Sequence, residues 1–385
     1  MQAAMRFPTL VLLSAALHLY LGLRLAPVWP QPWVGAVLGL ALLASAVLVP
    51  LGLAARRFAR PPASDRLAFA GLLCLGWFSS MFVLSLAREL VLAPAWLASQ
   101  ASPATLDFAR WWRLTGQAVA LLALGSSLLG FLNARRTPRV VTVDIPIAGL
   151  PAALQGFTIA QISDIHVGPT IRARQVRRLV DAVNRLRPDV VAVTGDLVDG
   201  PVHELAPHVA PLAGLDGRHG SYFVTGNHEY YAGAAPWLAE VERLGLQVLL
   251  NRHVVIEHAG ARLVLAGVTD FMAHHFDPGH RSDPQAALAG APADAGARVL
   301  LAHQPRSAPA AAAAGFDLQL SGHTHGGQFA PWMFFVRFQQ PFTAGLHRVG
   351  RMWVYVSRGS YYWGPPKRLG APSEITRVRL QGIQG

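Results

Sequence analysis

The sequence predicts an α/β chain in two parts: a four-helix transmembrane region at the N-terminus, followed by a two-sheet β-sandwich flanked by helices. Three observations lead there. Four long apolar runs lie within the first 139 residues, each long enough to cross a hydrocarbon core of about 30 Å as a helix. The charge is divided unevenly, because residues 1–139 hold twelve Arg, no Lys and three acidic residues (Asp65, Glu89 and Asp107), so that +9 of the formal +12 lies there. Beyond Arg139, short β-type runs alternate with helical segments, the pattern of two β-layers covered by helices. A chain of 385 residues also exceeds what one core fills. The expected domains are residues 1–139 and 140–385.

The apolar runs are Phe7 to Leu23, Trp33 to Ala55, Leu67 to Ala87 and Leu114 to Leu132. The second and third carry no charge. A signal peptide would account for the first alone, and no small-residue cleavage site follows it. Arg56, Arg57, Arg60 and Arg66 between the second and third runs, and Arg135, Arg136 and Arg139 after the fourth, belong on the cytoplasmic side by the positive-inside rule. The first connection has only Arg24. The third mixes Arg88, Arg110 and Arg113 with Glu89 and Asp107 beside Trp96, Trp111 and Trp112, as an interfacial outer loop does. The expectation is an integral protein of a bacterial-type inner membrane, its N-terminus and its C-terminal domain both cytoplasmic, with the lipid bilayer as partner. A sequence pI near 11.0 otherwise invites a nucleic-acid reading. The arginines flank hydrophobic segments instead, so no nucleic-acid partner is expected. His18, inside the first run, reads as structural. Cys74 is the one cysteine and lies in an apolar run, so there is no intrachain disulfide framework and no thiolate metal site.

In the second part, Val140 to Ile147 and Phe157 to Ser163 read as strands. Arg172 to Leu186 is a helix with Val176, Leu179, Val180 and Val183 on one face and arginines on the other, ended by Pro188. Val190 to Val193 and Ser221 to Val224 are strands separated by a helical segment that ends near Gly214. Ala235 to Leu244 is a helix, and β-runs come after it at 247–250, 253–257, 262–268, 299–302 and 317–320. Ala310 to Ala314 reads as a short helix.

The residues just past five of these strands carry the chemistry. The clusters are Asp164 and His166, then Asp196 and Asp199, then Asn227, His228 and Glu229, then His303, and finally the glycine-rich turn Ser321-Gly-His323-Thr-His325-Gly-Gly-Gln328. One such cluster is an ordinary loop. Five of them present carboxylate, amide and imidazole donors suited to borderline or hard divalent ions.

As a set, the blocks Asp-x-His at 164–166, Gly-Asp-x-x-Asp at 195–199, Gly-Asn-His-Glu at 226–229, a single His303 and Gly-His-Thr-His at 322–325 resemble the calcineurin-like metallophosphoesterases. The resemblance runs from about Val140 to the C-terminus. The Gly-Gly-Gln after the turn, Gly267-Val-Thr-Asp270, Ser357-Arg-Gly359 and Ser373-Glu-Ile375 are similar to the membrane-associated branch of that superfamily. The resemblance implies a metal-dependent hydrolase with a four-layer α/β/β/α fold and two divalent metal ions, Mn²⁺, Fe²⁺ or Zn²⁺. One ion would be held by Asp164, His166 and His325, the other by Asn227, His303 and His323, with Asp196 bridging. Such ions share a water whose pKa they lower for in-line attack on phosphorus. By the same resemblance His228 would protonate the leaving oxygen and Asp199 would hold that imidazole in place. Glu229 stands where many relatives have Asp and is left without a catalytic role.

The substrate is less defined. The loop 270–284, with His274, His275, His280 and Arg281, is either a lid that touches phosphate or a solvated loop. Phe329 to Val336, with Phe338 and Phe342, is either packed core or an apolar surface beside the metals where a lipid chain lies, and Tyr361, Tyr362 and Trp363 would extend that surface. The expected function is hydrolysis of a phosphodiester or pyrophosphate bond in a lipid-linked substrate. The alternatives are a tethered phosphodiesterase or phosphatase of a soluble nucleotide or small phosphate ester, and a membrane sensor that binds without turnover.

Overall fold

The structure is a computed structural model that describes residues 7–101 and 107–383. It divides into two compact units, one formed by residues 1–135 with Gly364–Leu369 and the other by Arg136–Trp363 with Gly370–Gly385.

The first unit contains α1 (Phe7–Leu25), α2 (Pro32–Leu53), the short α3 (Ala55–Phe58), α4 (Ala63–Ala101) and α5 (Phe108–Ala134). All but α3 are long and apolar enough to cross a membrane. Their outward faces carry Leu12, Leu19, Leu23, Leu40, Leu43, Leu121 and Leu128, each more than half exposed. Their buried faces carry small residues such as Ser14, Ser45, Gly52, Gly71, Ser80 and Gly130. This inverts a soluble bundle and suits a lipid environment, where close backbone approach rather than apolar burial joins helices. At Gly52 a Cβ would stand 2.7 Å from the Gly71 Cα, so α2 and α4 meet through glycine on both sides.

α4 departs from the expected pattern. It continues through Arg88 and Glu89 to Ala101, 39 residues in all, where the charges point to an outer loop. Both charges are compensated within the helical unit. Arg88 donates to the Thr115 hydroxyl (3.0 Å) and the Trp112 carbonyl (2.8 Å), and Glu89 accepts from Arg24 at 3.0 Å. The remainder of that expected loop, residues 102–106, lies outside the described residues. His18 is structural as expected, its Nδ1 on the Ser14 carbonyl (2.8 Å) and its Nε2 on the Ser45 hydroxyl (2.9 Å).

The second unit is two six-stranded sheets. One runs in the order β1 (Arg139–Ala148), β12 (Glu374–Ile383), β2 (Thr158–Ile162), β3 (Val190–Val193), β4 (Ser221–Phe223) and β5 (Gln247–Val248). The other runs β10 (Gly345–Val349), β11 (Met352–Val356), β9 (Leu318–Ser321), β8 (Ala297–Leu301), β7 (Ala261–Gly267) and β6 (Arg252–His258). Strands β2 to β5 are mutually parallel, as are β7, β8, β9 and β11, while β6 and β10 are antiparallel edges. The two sheets share a core that includes Ile159, Val190, Val224, Leu265, Val299, Leu320 and Tyr355. The helices α6 (Ala173–Asn184), α7 (Val202–Val209), α8 (Asn227–Ala232), α9 (Ala234–Arg243), α10 (Pro284–Ala287) and α11 (Ala308–Ala314) connect them. The last three strands were not read from the sequence. Most important among these is β12, which inserts between β1 and β2.

Of the aromatic segment after the glycine-rich turn, Phe329 is buried, whereas Trp332, Phe334, Phe335 and Phe338 are 46%, 62%, 53% and 73% exposed. Those four are therefore surface residues rather than packed core. Tyr361 and Tyr362 are buried and do not extend that surface, while Trp363 is 54% exposed.

Candidate metal centre

Parallel strands end in one direction, so the clusters after β2, β3, β4, β8 and β9 converge at one end of the sandwich. Backbone bonds tie the loops together there. Asp164 N–H donates to the Gly195 carbonyl (3.0 Å), His166 N–H to that of Asp196 (3.1 Å), and Gly322 N–H to that of His303 (2.9 Å). Nine non-glycine residues among those described have positive φ, and five are predicted ligands: Asp164 (54°), His166 (52°), Asp196 (53°), His323 (71°) and His325 (52°). Each such conformation costs on the order of 1–3 kcal/mol and persists where its surroundings enforce it. Here it turns consecutive polar side chains toward a common point. Gly226 has to be glycine, because a Cβ would strike Asp196 Oδ1.

Two groups of donor atoms result. In the first, His166 Nε2 faces His325 Nε2 at 3.0 Å, and Asp164 Oδ1 lies 3.5 Å from His325 Nε2. In the second, His303 Nε2 faces His323 Nδ1 at 3.2 Å and Asp196 Oδ2 at 3.1 Å. Asp196 Oδ2 is also 3.8 Å from His166 Nε2, which places that carboxylate between the groups. The set Asp164, His166 and His325 and the set Asp196, His303 and His323 each bring their ligand atoms within 4.8 Å of one another.

The hydrogen bonds behind these atoms fix which nitrogen faces inward. His303 Nδ1 donates to the Thr194 carbonyl at 2.8 Å. His166 Nδ1 donates to Asp199 Oδ1 at 2.8 Å, and His228 Nδ1 donates to the same oxygen at 2.7 Å. Asp199 thus orients two imidazoles, one in the first donor group and one beside it. Burial works against its charge, but the two histidines hold its carboxyl at about 2.

The residues fit divalent ions. The facing imidazole nitrogens stand 3.0 and 3.2 Å apart, a spacing filled by a shared proton or, equally, by a cation that accepts both lone pairs. Asn227 Oδ1 is buried with no hydrogen-bond partner, as an amide oxygen reserved for a ligand would be. Burial, with a further contribution from Asp196, pushes the Asp164 carboxyl up, so cations at this point would relieve a cost that the protein otherwise bears.

His228 lies 3.9 Å from Asp196 Oδ2. Burial disfavours its charge, but Asp196 and Asp199 raise it to about 9, so the imidazole carries a proton to give at neutral pH. Its ring sits between Tyr231 (5.2 Å) and Trp363 (5.7 Å). Tyr231 was not singled out from the sequence. Glu229 is buried and clamps two loops, accepting the N–H groups of Asp196 (3.0 Å), Leu197 (2.7 Å) and Gly226 (2.6 Å). In loop 270–284, His280 Nδ1 meets the Tyr230 hydroxyl at 2.8 Å, whereas His274 makes only a local contact to its own turn.

Residues 157–327 match the pattern of the calcineurin-like phosphoesterases. The chain is 40% identical over 324 residues to the "Transmembrane protein with metallophosphoesterase domain" of Bos taurus, covering 80% of this chain and 72% of that protein. The protein of the same name from Danio rerio is 40% identical over 66% of this chain and 60% of its own length. An uncharacterized metallophosphoesterase of Campylobacter jejuni is 35% identical over 65% of each.

Proposed function

The chain belongs to the calcineurin-like phosphoesterases, as a membrane protein and a metal-dependent hydrolase, and on that premise we propose that residues 140–385 hydrolyse a phosphodiester or pyrophosphate bond of a lipid-linked substrate. The observation that carries the proposal is the pair of donor groups with Asp196 between them, completed by the unpartnered Asn227 oxygen. Asp164, His166 and His325 would hold one divalent ion and Asn227, His303 and His323 the other, with Asp196 shared. When bound, such ions supply an activated water and neutralise charge on phosphoryl oxygens. The protein's own groups do the rest. Asp199 keeps His166 and His228 in fixed tautomers, Glu229 fixes the loops that carry Asp196 and Asn227, and His228 delivers its Nε2 proton to the leaving oxygen.

Four exposed aromatics support a lipid-linked substrate. Trp332, Phe334, Phe335 and Phe338 come directly after the turn that carries His323 and His325, and an exposed cluster of this kind marks an apolar partner. The arginines at 56–66 and 135–139 support a cytoplasmic placement of the hydrolase domain. The test is a hydrolysis screen of the full-length, metal-loaded protein in detergent, with lipid-linked pyrophosphates and soluble nucleotides side by side. Preference for the lipid-linked compounds that falls in a Phe334→Ser/Phe335→Ser variant supports the proposal. Equal rates on both classes would replace it with a tethered enzyme of soluble substrates, and no turnover with any metal would leave a binding protein.

A further inference from the structure

The end of the sandwich opposite the metal centre holds a second arrangement of facing imidazoles. Asp189 immediately precedes β3, and His219 lies in the turn before β4, so both sit where their strands begin. His258 is the last residue of β6, which runs antiparallel to β7 and therefore finishes at that same end. His219 leads into a strand of one sheet and His258 closes a strand of the other. Their ring nitrogens, Nε2 of His219 and Nδ1 of His258, face each other at 2.9 Å. The ligand atoms of Asp189, His219 and His258 lie within 4.8 Å of one another.

This is the same signature as His166 with His325 and His303 with His323, at 3.0 and 3.2 Å. The surroundings hold the three residues in place. The Asp189 carbonyl accepts the His219 N–H (2.7 Å), and the Tyr222 hydroxyl donates to the His219 carbonyl (2.8 Å). Phe157 packs flat on the His219 ring and edge-on to that of His258. Asp189 uses only Oδ2 to accept from the Thr158 N–H and hydroxyl, both at 2.8 Å. Its Oδ1 meets Arg218 only at 4.0 Å, and that arginine side chain is 70% exposed, so it can turn into solvent. Burial, with His258 and Arg218, pushes the His219 imidazole down and favours the neutral ring that a metal requires. Two imidazoles and one carboxylate with a further open position suit a borderline divalent ion such as Zn²⁺.

We propose that Asp189, His219 and His258 form a separate divalent-metal site that pins the two sheets together at the end remote from catalysis. None of the three touches the catalytic donor groups, so the site is independent of the proposed reaction.

The experiment measures Zn²⁺ content and thermal unfolding of the full-length protein in detergent, for wild type and for His258→Gln. Glutamine can still hydrogen-bond His219 but is a poor zinc ligand. The expected result is that the variant carries one equivalent less and shows a smaller rise in unfolding temperature on adding Zn²⁺ than wild type, while its hydrolysis rate and its stability in chelator match wild type. Unchanged metal content in His258→Gln would overturn the proposal and leave His219 and His258 as a hydrogen-bonded pair. If that variant fails to fold, Asp196→Asn gives a second reading. With the catalytic ions lost, one equivalent of Co²⁺ should remain with a visible spectrum of imidazole ligation, and no retained Co²⁺ would likewise overturn it.

Discussion

His18 in the helical unit and His303 in the sandwich are both buried imidazoles, but their surroundings ask for opposite things. His18 has a partner at each nitrogen, the Ser14 carbonyl and the Ser45 hydroxyl. His303 spends Nδ1 on the Thr194 carbonyl and turns Nε2 toward Asp196 Oδ2 and His323 Nδ1, the other ligand atoms of its donor group. The contrast extends beyond histidine. Lys367, which packs within the helical unit, donates to the hydroxyls of Ser80 and Ser127, and Arg88 donates to Thr115 and Trp112. There, donors meet acceptors. At the sandwich end imidazole nitrogens and carboxylate oxygens converge on shared points instead, a donor set suited to cations. Burial of a polar group is thus a poor guide to function, whereas the local balance of donors and acceptors is a good one.

The comparison can be broken in four ways. Asp196→Asn should have the largest effect, reducing hydrolysis to background in an assay with added Mn²⁺, because it removes the charge shared by both donor groups. A variant that kept a substantial rate would place the chemistry elsewhere. His228→Ala should lower turnover by about 10²–10⁴-fold on substrates with poor leaving groups and much less on aryl esters, with metal content intact. In wild type the rate should fall as pH rises past the raised pKa of His228, because the proton is lost, and this alkaline limb should be missing from the variant. Glu229→Gln replaces one carboxylate oxygen by N–H₂, so that at least one of the backbone N–H groups of Asp196, Leu197 and Gly226 loses its acceptor, and should destabilise the protein by about 1–3 kcal/mol, read as a lower thermal midpoint. Smallest is His18→Leu, which leaves Ser45 without its partner. It should cost about 1 kcal/mol at most and leave hydrolysis unchanged, and a large loss of activity would show that the helical unit takes part in the reaction.

The convergence of the candidate metal ligands was legible because its signal is local. An apolar run with Asp, Asn or His within a few residues of its close marks a strand end, and parallel strands deliver all such ends to one place. The features that were missed depend on distant partners. β12 carries Thr376, Arg377 and Arg379 among its apolar residues, and only its place between β1 and β2 makes it a strand. Arg88 and Glu89 marked the end of an apolar run, yet α4 continues because Arg24, Thr115 and the Trp112 carbonyl satisfy them. Glu229 is an ordinary neighbour of His228 in sequence, and its clamp on Asp196 spans 33 positions. The second role of Asp199, orienting His166, is invisible for the same reason. His219 lies in the turn before β4 and His258 at the end of β6, with no spacing motif between them, so only the folded sheets bring them together.

The most direct test counts metal in Asp196→Asn against wild type, using full-length protein loaded with Mn²⁺ or Zn²⁺ and freed of loose ions. The account predicts that the variant loses two equivalents, because the carboxylate lies between both donor groups, while it remains folded by circular dichroism. Equal metal content in the two proteins would contradict it.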